Sequence, residues 1–319
     1  MGLDSTWLFR EHCEYAAAKA LNMGRALSQI MPNLRGPSES KRRLYYSVIL
    51  SVLLYASPSW SDSFRRNKKL QSLMKNAQKT VALRVAAAYR TTSLDAATLL
   101  VRVPPLDILI ADRDRMYEAG RTARAAGIWT KRAAEEAKAS SLVRMREEWK
   151  ARLEKFSTPG ARTRLAILPS FDLWMDRSHG QVTFRVTQLL TGHGCFGAYL
   201  RRIGKAESAV CPYCSLEEGE TSQIDTVEHT VAECPAWLCK RTELSASIGA
   251  DLSLANIIRQ IDRSREKWAA FSLFAERVMS TKEEAERQRQ RVQQEVADIV
   301  DDAGSRPGPS TMRDVDSDS

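Results

Sequence analysis

CPYCSLEEGETSQIDTVEHTVAEC, residues 211–234, has the form Cys-x2-Cys-x14-His-x4-Cys. Cys211 and Cys214 stand at the spacing of a tight turn that aims two thiolates at one ion, and His229 and Cys234 are close enough for successive turns of one helix. Together they fit one tetrahedral zinc site with four protein ligands: Cys211, Cys214, His229 and Cys234. Three of the six cysteines and one of the four histidines fall in this stretch, a density that scattered core thiols rarely produce. So small a unit has little core of its own, so metal binding would supply much of its folding free energy. Cys239 follows Cys234 by another x4 step and is a substitute ligand; Cys234 is preferred, because Cys234-Pro235-Ala236-Trp237 reads as a site closing and the chain turning away.

The flanks of this stretch are basic and its interior is acidic. Glu217, Glu218, Glu220, Asp225, Glu228 and Glu233 lie between the outer cysteines, with no lysine or arginine among them. The finger loop itself should therefore repel phosphate, and nucleic-acid contacts fall to Arg201, Arg202, Lys205, Lys240 and Arg241, which bracket it. Upstream, Gly192, Gly194 and Gly197 surround His193 and imply a turn with close helix approach. They form no phosphate loop, since no strand and no Lys-Ser/Thr follow at the required spacing. His193 and Cys195 are candidate extra ligands, though a Gly-His-Gly turn is more often structural.

Further outward the periodicity is helical throughout. Residues 8–31 repeat apolar positions at Phe9, Ala16, Ala20 and Ile30 before Pro32 and Gly36-Pro37 break the pattern. A second helix runs from Ser38 to Leu54 and is stopped at Ser57-Pro58-Ser59-Trp60. A third starts near Asn67 and interleaves apolar positions with Lys68, Lys69, Lys75 and Lys79. Ser93 caps a short helix, and Pro104-Pro105 opens another. From about 124 to 156 the chain is rich in Ala, Glu, Lys and Arg, which reads as an exposed helical linker. Residues 253–298 hold two more helices, the second highly charged, and the acidic Pro/Gly/Ser tail from 301 is expected to be disordered.

Composition bounds the function. The chain has 319 residues, 43% of them hydrophobic, and a formal charge of +9, which together suggest a globular protein with a polyanionic partner. The longest apolar run, Leu44 to Ala56, is too short to span a bilayer and reads as a buried helix, so no membrane partner is expected. Unpaired cysteines without a signal peptide point to a reducing compartment. Two-metal polymerase or nuclease chemistry needs converging carboxylates, and none is visible; a metal with four protein ligands has no open position for substrate. No catalytic residue is therefore assigned.

The order of segments resembles a known family. Gly2-Leu3-Asp4, Gly36-Pro37, Arg42-Arg43-Leu44-Tyr45 and Tyr55…Trp60 stand where non-LTR (LINE-type) retrotransposon Pol proteins carry the segment following the polymerase palm. The stretch from Gln188 through the Cys-Cys-His-Cys residues to Trp237 is similar to the C-terminal region of the same proteins, closest to the type-1 elements of insect ribosomal genes. The resemblance implies a mostly α fold: a thumb-like helical domain at 1–110, a charged helical linker at 111–165, a zinc-binding domain at 166–245, C-terminal helices at 246–300 and a disordered tail at 301–319. It implies an RNA-directed DNA polymerase (reverse transcriptase) parent with an endonuclease, whose Phe/Tyr-x-Asp-Asp palm and its magnesium lie upstream of this chain. The chain itself would bind template RNA and target DNA for target-primed reverse transcription, beside the rest of the polyprotein, in the nucleus at the insertion site after translation in the cytoplasm. A thumb helix would grip the duplex through Lys68, Lys69, Lys75 and Lys79. The alternative is a stand-alone, non-enzymatic zinc module from a decayed or host-retained element.

Overall fold

A computed structural model describes residues 9–214 and 223–304, and among these the chain is mostly α, with fourteen α-helices. The two ends of the metal-binding stretch are joined by a single antiparallel bridge between Val210 and Ile224. The quoted Gly2-Leu3-Asp4, the acids Glu217, Glu218 and Glu220, and the tail from 305 lie outside the described residues.

Helix α1 (Arg10–Ile30) buries a stripe of small residues, Cys13, Ala16, Ala17, Ala20 and Gly24. Small side chains let backbones approach closely, and α1 packs along α4 (Lys68–Val85), where a Cβ on Gly24 would come within 3.1 Å of Val81. Ile30, expected on the same stripe, is exposed. Asn67 caps α4 by accepting from the backbone N–H groups of Lys69 and Leu70, satisfying donors that a helix start leaves free.

Between α1 and α2 (Glu39–Leu53) the chain turns at Gly36-Pro37. Arg42 holds that turn by donating to the carbonyl oxygens of Pro32, Pro37 and Arg84. A Cβ on Gly36 would lie 2.2 Å from the Pro32 oxygen, so the glycine is sterically required. The apolar run from Leu44 is only half buried: Tyr46, Ile49, Leu50 and Leu53 face the core, while Leu44, Val48 and Tyr55 are exposed. The sequence carries apolar residues on both faces, and only one face has a partner among the described residues.

Ser57-Pro58 is not a stop. The chain breaks at Ala56 (φ 50°) and restarts as α3 (Ser57–Arg66) with Pro58 in its first turn, where a missing N–H costs nothing. Trp60 is fully buried and donates its indole N–H to the Tyr55 oxygen. Helices α5 (Leu94–Val101), α6 (Leu106–Ala125) and α7 (Lys131–Glu154) follow. The charged α7 lies along α6; it buries large side chains only near its end, at Trp149 and Leu153, and is otherwise held by polar contacts such as Ser141 with Asp112 and Arg146 with Asp176.

The second half builds on short helices: α8 (Ala161–Ile167), α9 (Phe171–Asp176), α10 (Phe184–Thr191) and α11 (Gly197–Arg202). A buried polar network joins it to the first half. Glu39 accepts from Arg102, Arg177 and the backbone N–H of Val182, and Trp174 donates to the Leu99 oxygen. Arg177 is enclosed between Trp174 and Trp268, and burial pulls its guanidinium down to about 10. Helices α12 (Leu238–Ile248), α13 (Leu254–Ile261) and α14 (Arg265–Gly304) complete the fold. The early part of α14 presents Trp268, Phe271, Ala275, Val278 and Lys282 to the core, and the helix continues past Asp301-Asp302, which the sequence assigned to the tail.

Candidate metal centre

The bridge between Val210 and Ile224 brings the two ends of the finger together. Cys211 donates its N–H to the Gln223 oxygen at 2.8 Å, and Asp225 donates to Ala209 at 2.9 Å. Cys211 leads into the tight turn that presents Cys214. The other two donors come from a widened turn. His229–Glu233 is π-helical, and the Cys234 N–H donates to the His229 oxygen at 2.7 Å. On an α-helix residues five apart point about 140° away from each other, so the x4 spacing would separate these ligands. The i to i+5 bond of a π turn stacks Cys234 beneath His229 and corrects the offset.

The structure brings all four sequence-assigned ligands together: Sγ of Cys211, Cys214 and Cys234 and a ring nitrogen of His229 lie within 4.8 Å of one another. Cys234 Sγ is 3.9 Å from both Cys211 Sγ and Cys214 Sγ. A tetrahedral ion with bonds of about 2.3 Å to sulfur spaces its sulfurs about 3.8 Å apart, so the donor set fits a metal ion. His229 turns Nε2 toward Cys214 at 3.1 Å, and its Nδ1 meets Glu233 Oε2 at 3.3 Å. That contact fixes the tautomer with Nδ1 as donor and leaves the Nε2 lone pair for a ligand bond, as second-shell carboxylates do elsewhere. Burial first, then the neighbouring sulfurs Cys211 and Cys234, push the Cys214 thiol up to about 12. A bound cation reverses this balance, because a coordinating thiol is held as thiolate.

The chain closes the site as Cys-Pro-x-Trp suggested. Pro235–Trp237 is a single 3-10 turn into α12, and Arg241 donates to the Cys234 oxygen at 3.1 Å. Cys239 is exposed on α12 and outside the cluster. His193 and Cys195 are outside it too. His193 Nδ1 is within 3.2 Å of the Thr91 and Thr92 hydroxyls, and its ring stacks on Tyr199 at 4.7 Å. Of the three glycines beside it, Gly192 ends α10 with φ 70°, and Gly197 approaches so closely that a Cβ would lie 2.7 Å from the Ala209 oxygen.

Sequence reasoning missed the pair that anchors this unit. Asp225, beside the bridge, is buried; its Oδ2 accepts from the Gly197 N–H at 2.9 Å, and its Oδ1 accepts from Lys282 of α14 at 2.5 Å and from Thr230. Lys282 is fully buried, with its ammonium about 5 Å from the rings of Phe196 and Tyr213. The available signal was positional: Phe271, Ala275, Val278 and Lys282 follow one helical stripe, so the lysine falls on the core face.

The basic candidates occupy several settings. Lys68 and Lys69 are exposed in the first turn of α4, and Lys79 is half exposed. Lys75 is committed to Asp107 at 2.8 Å. Arg201, Arg202 and Lys205 are exposed at the end of α11, whereas Lys240 lies over Trp237 and Arg241 serves the metal turn.

No protein-family model and no solved structure matches the chain. It is 24% identical over 281 residues to the retrovirus-related Pol polyprotein from type-1 retrotransposable element R1 4 of Nasonia vitripennis, covering 86% of this chain and 69% of that protein. It is also 24% identical over 250 residues to the 115 kDa protein in type-1 retrotransposable element R1DM of Drosophila melanogaster, covering 75% of this chain but 23% of that protein. The homologues of this chain are thus proteins of insect type-1 retrotransposable elements, a Pol polyprotein among them, and the similarity extends over most of the chain.

Proposed function

We propose that the chain is the nucleic-acid-holding, C-terminal part of a non-LTR retrotransposon RNA-directed DNA polymerase. It binds template RNA and target DNA during target-primed reverse transcription at the nuclear insertion site, for a catalytic palm supplied by another part of the polyprotein. The observation that carries this reading is the juxtaposition of a closed Cys3His cluster with the exposed Arg201, Arg202 and Lys205, none of which has an ion-pair partner among the described residues, in a chain whose homologues come from retrotransposable elements. Cys211, Cys214, His229 and Cys234 would hold a zinc ion, since three thiolates and an imidazole select a borderline-soft, tetrahedral cation over magnesium or calcium. With four protein ligands the ion supplies rigidity and no chemistry. Helices α1 to α6 take the place of a thumb, with Lys68, Lys69 and Lys79 on the side offered to the duplex.

Contacts of this kind are to phosphates, so binding should be nearly independent of sequence and fall steeply with salt. The test is purified chain titrated with RNA and with DNA duplex at several salt concentrations, alongside its zinc content by mass spectrometry. One zinc per chain with salt-sensitive binding to both supports the reading. Failure to bind either nucleic acid even at low salt overturns it.

A further inference from the structure

A cleft of about 580 Å³ runs between the residues ahead of α5 and the metal-bearing unit. Its described lining contains two arginines, Arg162 and Arg202, one histidine, His193, and no carboxylate; most of the rest is threonine, serine, glycine and small apolar side chains. Arg202 is exposed and has no ion-pair partner among the described residues; its guanidinium lies over the Tyr199 ring at 5.3 Å. Arg162 is half buried and pairs with Glu228 through one nitrogen at 3.0 Å, which leaves its other N–H groups for a ligand. The two guanidiniums act on the same spot: after burial, they are the charges that lower His193, to about 4. His193 is therefore neutral at physiological pH. Its Nδ1 is taken by the Thr91 and Thr92 hydroxyls, and Nε2 makes no hydrogen bond among the described residues.

Two of the hydroxyls accept within the fold and so keep a donor, whereas Thr163 and Thr191 already donate to the carbonyl oxygens of Leu190 and Thr187. Ser93 Oγ already accepts from the Ala96 N–H, and Thr226 Oγ1 accepts from the His229 N–H. Each keeps its O–H for an acceptor in the cleft. The aromatic side chains offer no stacking platform, because Phe196 is buried and the Tyr199 ring is already met by His193 and Arg202. The lining thus favours an anion with several acceptor oxygens over a base or an apolar molecule.

We infer that this cleft seats the sugar–phosphate backbone of a nucleic-acid strand, with Arg162 and Arg202 as charge partners and Ser93, Thr226 and His193 Nε2 as hydrogen-bond donors. The inference rests on the nucleic-acid-binding reading above and assigns that binding a place. Thr226 bridges the strand to the backbone of a metal ligand, so the metal turn and the phosphate share one support.

The experiment uses the full, zinc-loaded chain and a fluorescent uridine oligomer of about 20 nucleotides, with anisotropy read from about 50 to 200 mM salt. Arg202→Gln is expected to weaken binding roughly 3- to 10-fold and to lower the salt slope by about 0.7, one phosphate of a single strand. Arg202→Lys should restore the slope, because it restores the charge. Arg162→Gln should behave as Arg202→Gln does, with unchanged zinc content showing that the fold is intact, whereas Lys138→Gln on α7 should change nothing. Wild-type binding with both glutamine variants at wild-type affinity and slope overturns the cleft and leaves the general reading standing. Absence of wild-type binding at low salt overturns both.

Discussion

Lys282→Met tests whether α14 locks the metal-bearing unit in place. The Lys282 ammonium is fully buried and lies 2.5 Å from Asp225 Oδ1 and 3.3 Å from Thr230 Oγ1, while Asp225 itself is 2% exposed. Methionine keeps most of the stem volume against Phe196 and Tyr213, so the cavity term is small. What remains is a buried carboxylate with two neutral donors, Gly197 N–H and the Thr230 hydroxyl. Removing one partner of a buried pair costs about 3–5 kcal/mol. In urea, at a slope of about 3 kcal/mol per molar, the midpoint should fall by roughly 1 M or more. Asp225→Asn alone should cost a similar amount by stranding the lysine. The double variant Lys282→Met/Asp225→Asn removes both charges; the Asn oxygen can still accept from the Gly197 N–H while its NH2 donates to the Thr230 oxygen, so it should recover at least half the loss. Because Asp225 follows the bridge that carries Cys211, metal release to a chelator should also speed up in each single variant. Single variants within about 1 kcal/mol of wild type, or a double variant whose loss is the sum of the two, would refute the reasoning.

Cys211→Ser, Cys214→Ser or His229→Ala should abolish stoichiometric zinc by mass spectrometry, whereas Cys239→Ser should retain it, and a Cys211/Cys214 double variant that keeps its zinc would sink the ligand assignment. Burial lifts the Asp262 carboxyl to about 7 against the pull of Arg177 and Arg102, and neither of its oxygens accepts a hydrogen bond from a described group. Its folded value lies above the unfolded one, so the stabilisation is full below about pH 4 and is lost as pH rises toward 7; wild type should lose on the order of 2 kcal/mol between pH 5 and 8. Asp262→Asn should flatten that decline in urea midpoints, and an equal slope in both proteins would count against a buried, protonated carboxyl. Neutralising Lys68 and Lys69 to Gln should weaken duplex binding and lower the salt slope by nearly two, with an unchanged slope removing the start of α4 from the interface.

What the sequence made legible was local. Helix starts at Asn67 and Ser93 were readable because a cap acts within three residues, and the four metal ligands because their spacing encodes a turn and a helix end. Pro58 misled because the same residue that stops one helix starts another, and the choice depends on Ala56 adopting a left-handed backbone conformation that nothing local demands. The π turn escaped for a related reason: the x4 spacing shows that His229 and Cys234 must converge, but not which backbone geometry does it. The partners in long-range pairs such as Glu39 with Arg177 and Asp225 with Lys282 were not legible: the helical stripe places Lys282 on a core face, but nothing local says which distant carboxylate meets it. Those pairs also change how the net charge of +9 should be read. Lys75 and Lys282 are spent on Asp107 and Asp225, Arg42 on three carbonyls, and Arg241 on the metal turn. A count of basic residues therefore overstates the surface open to phosphate. Of the nine candidate cations, Lys68, Lys69, Lys79, Arg201, Arg202 and Lys205 have no ion pair or ring contact in competition among the described residues except Arg202 over Tyr199, so a salt slope near six phosphates, rather than one scaled to the whole chain, is the quantity that decides whether these residues carry the binding.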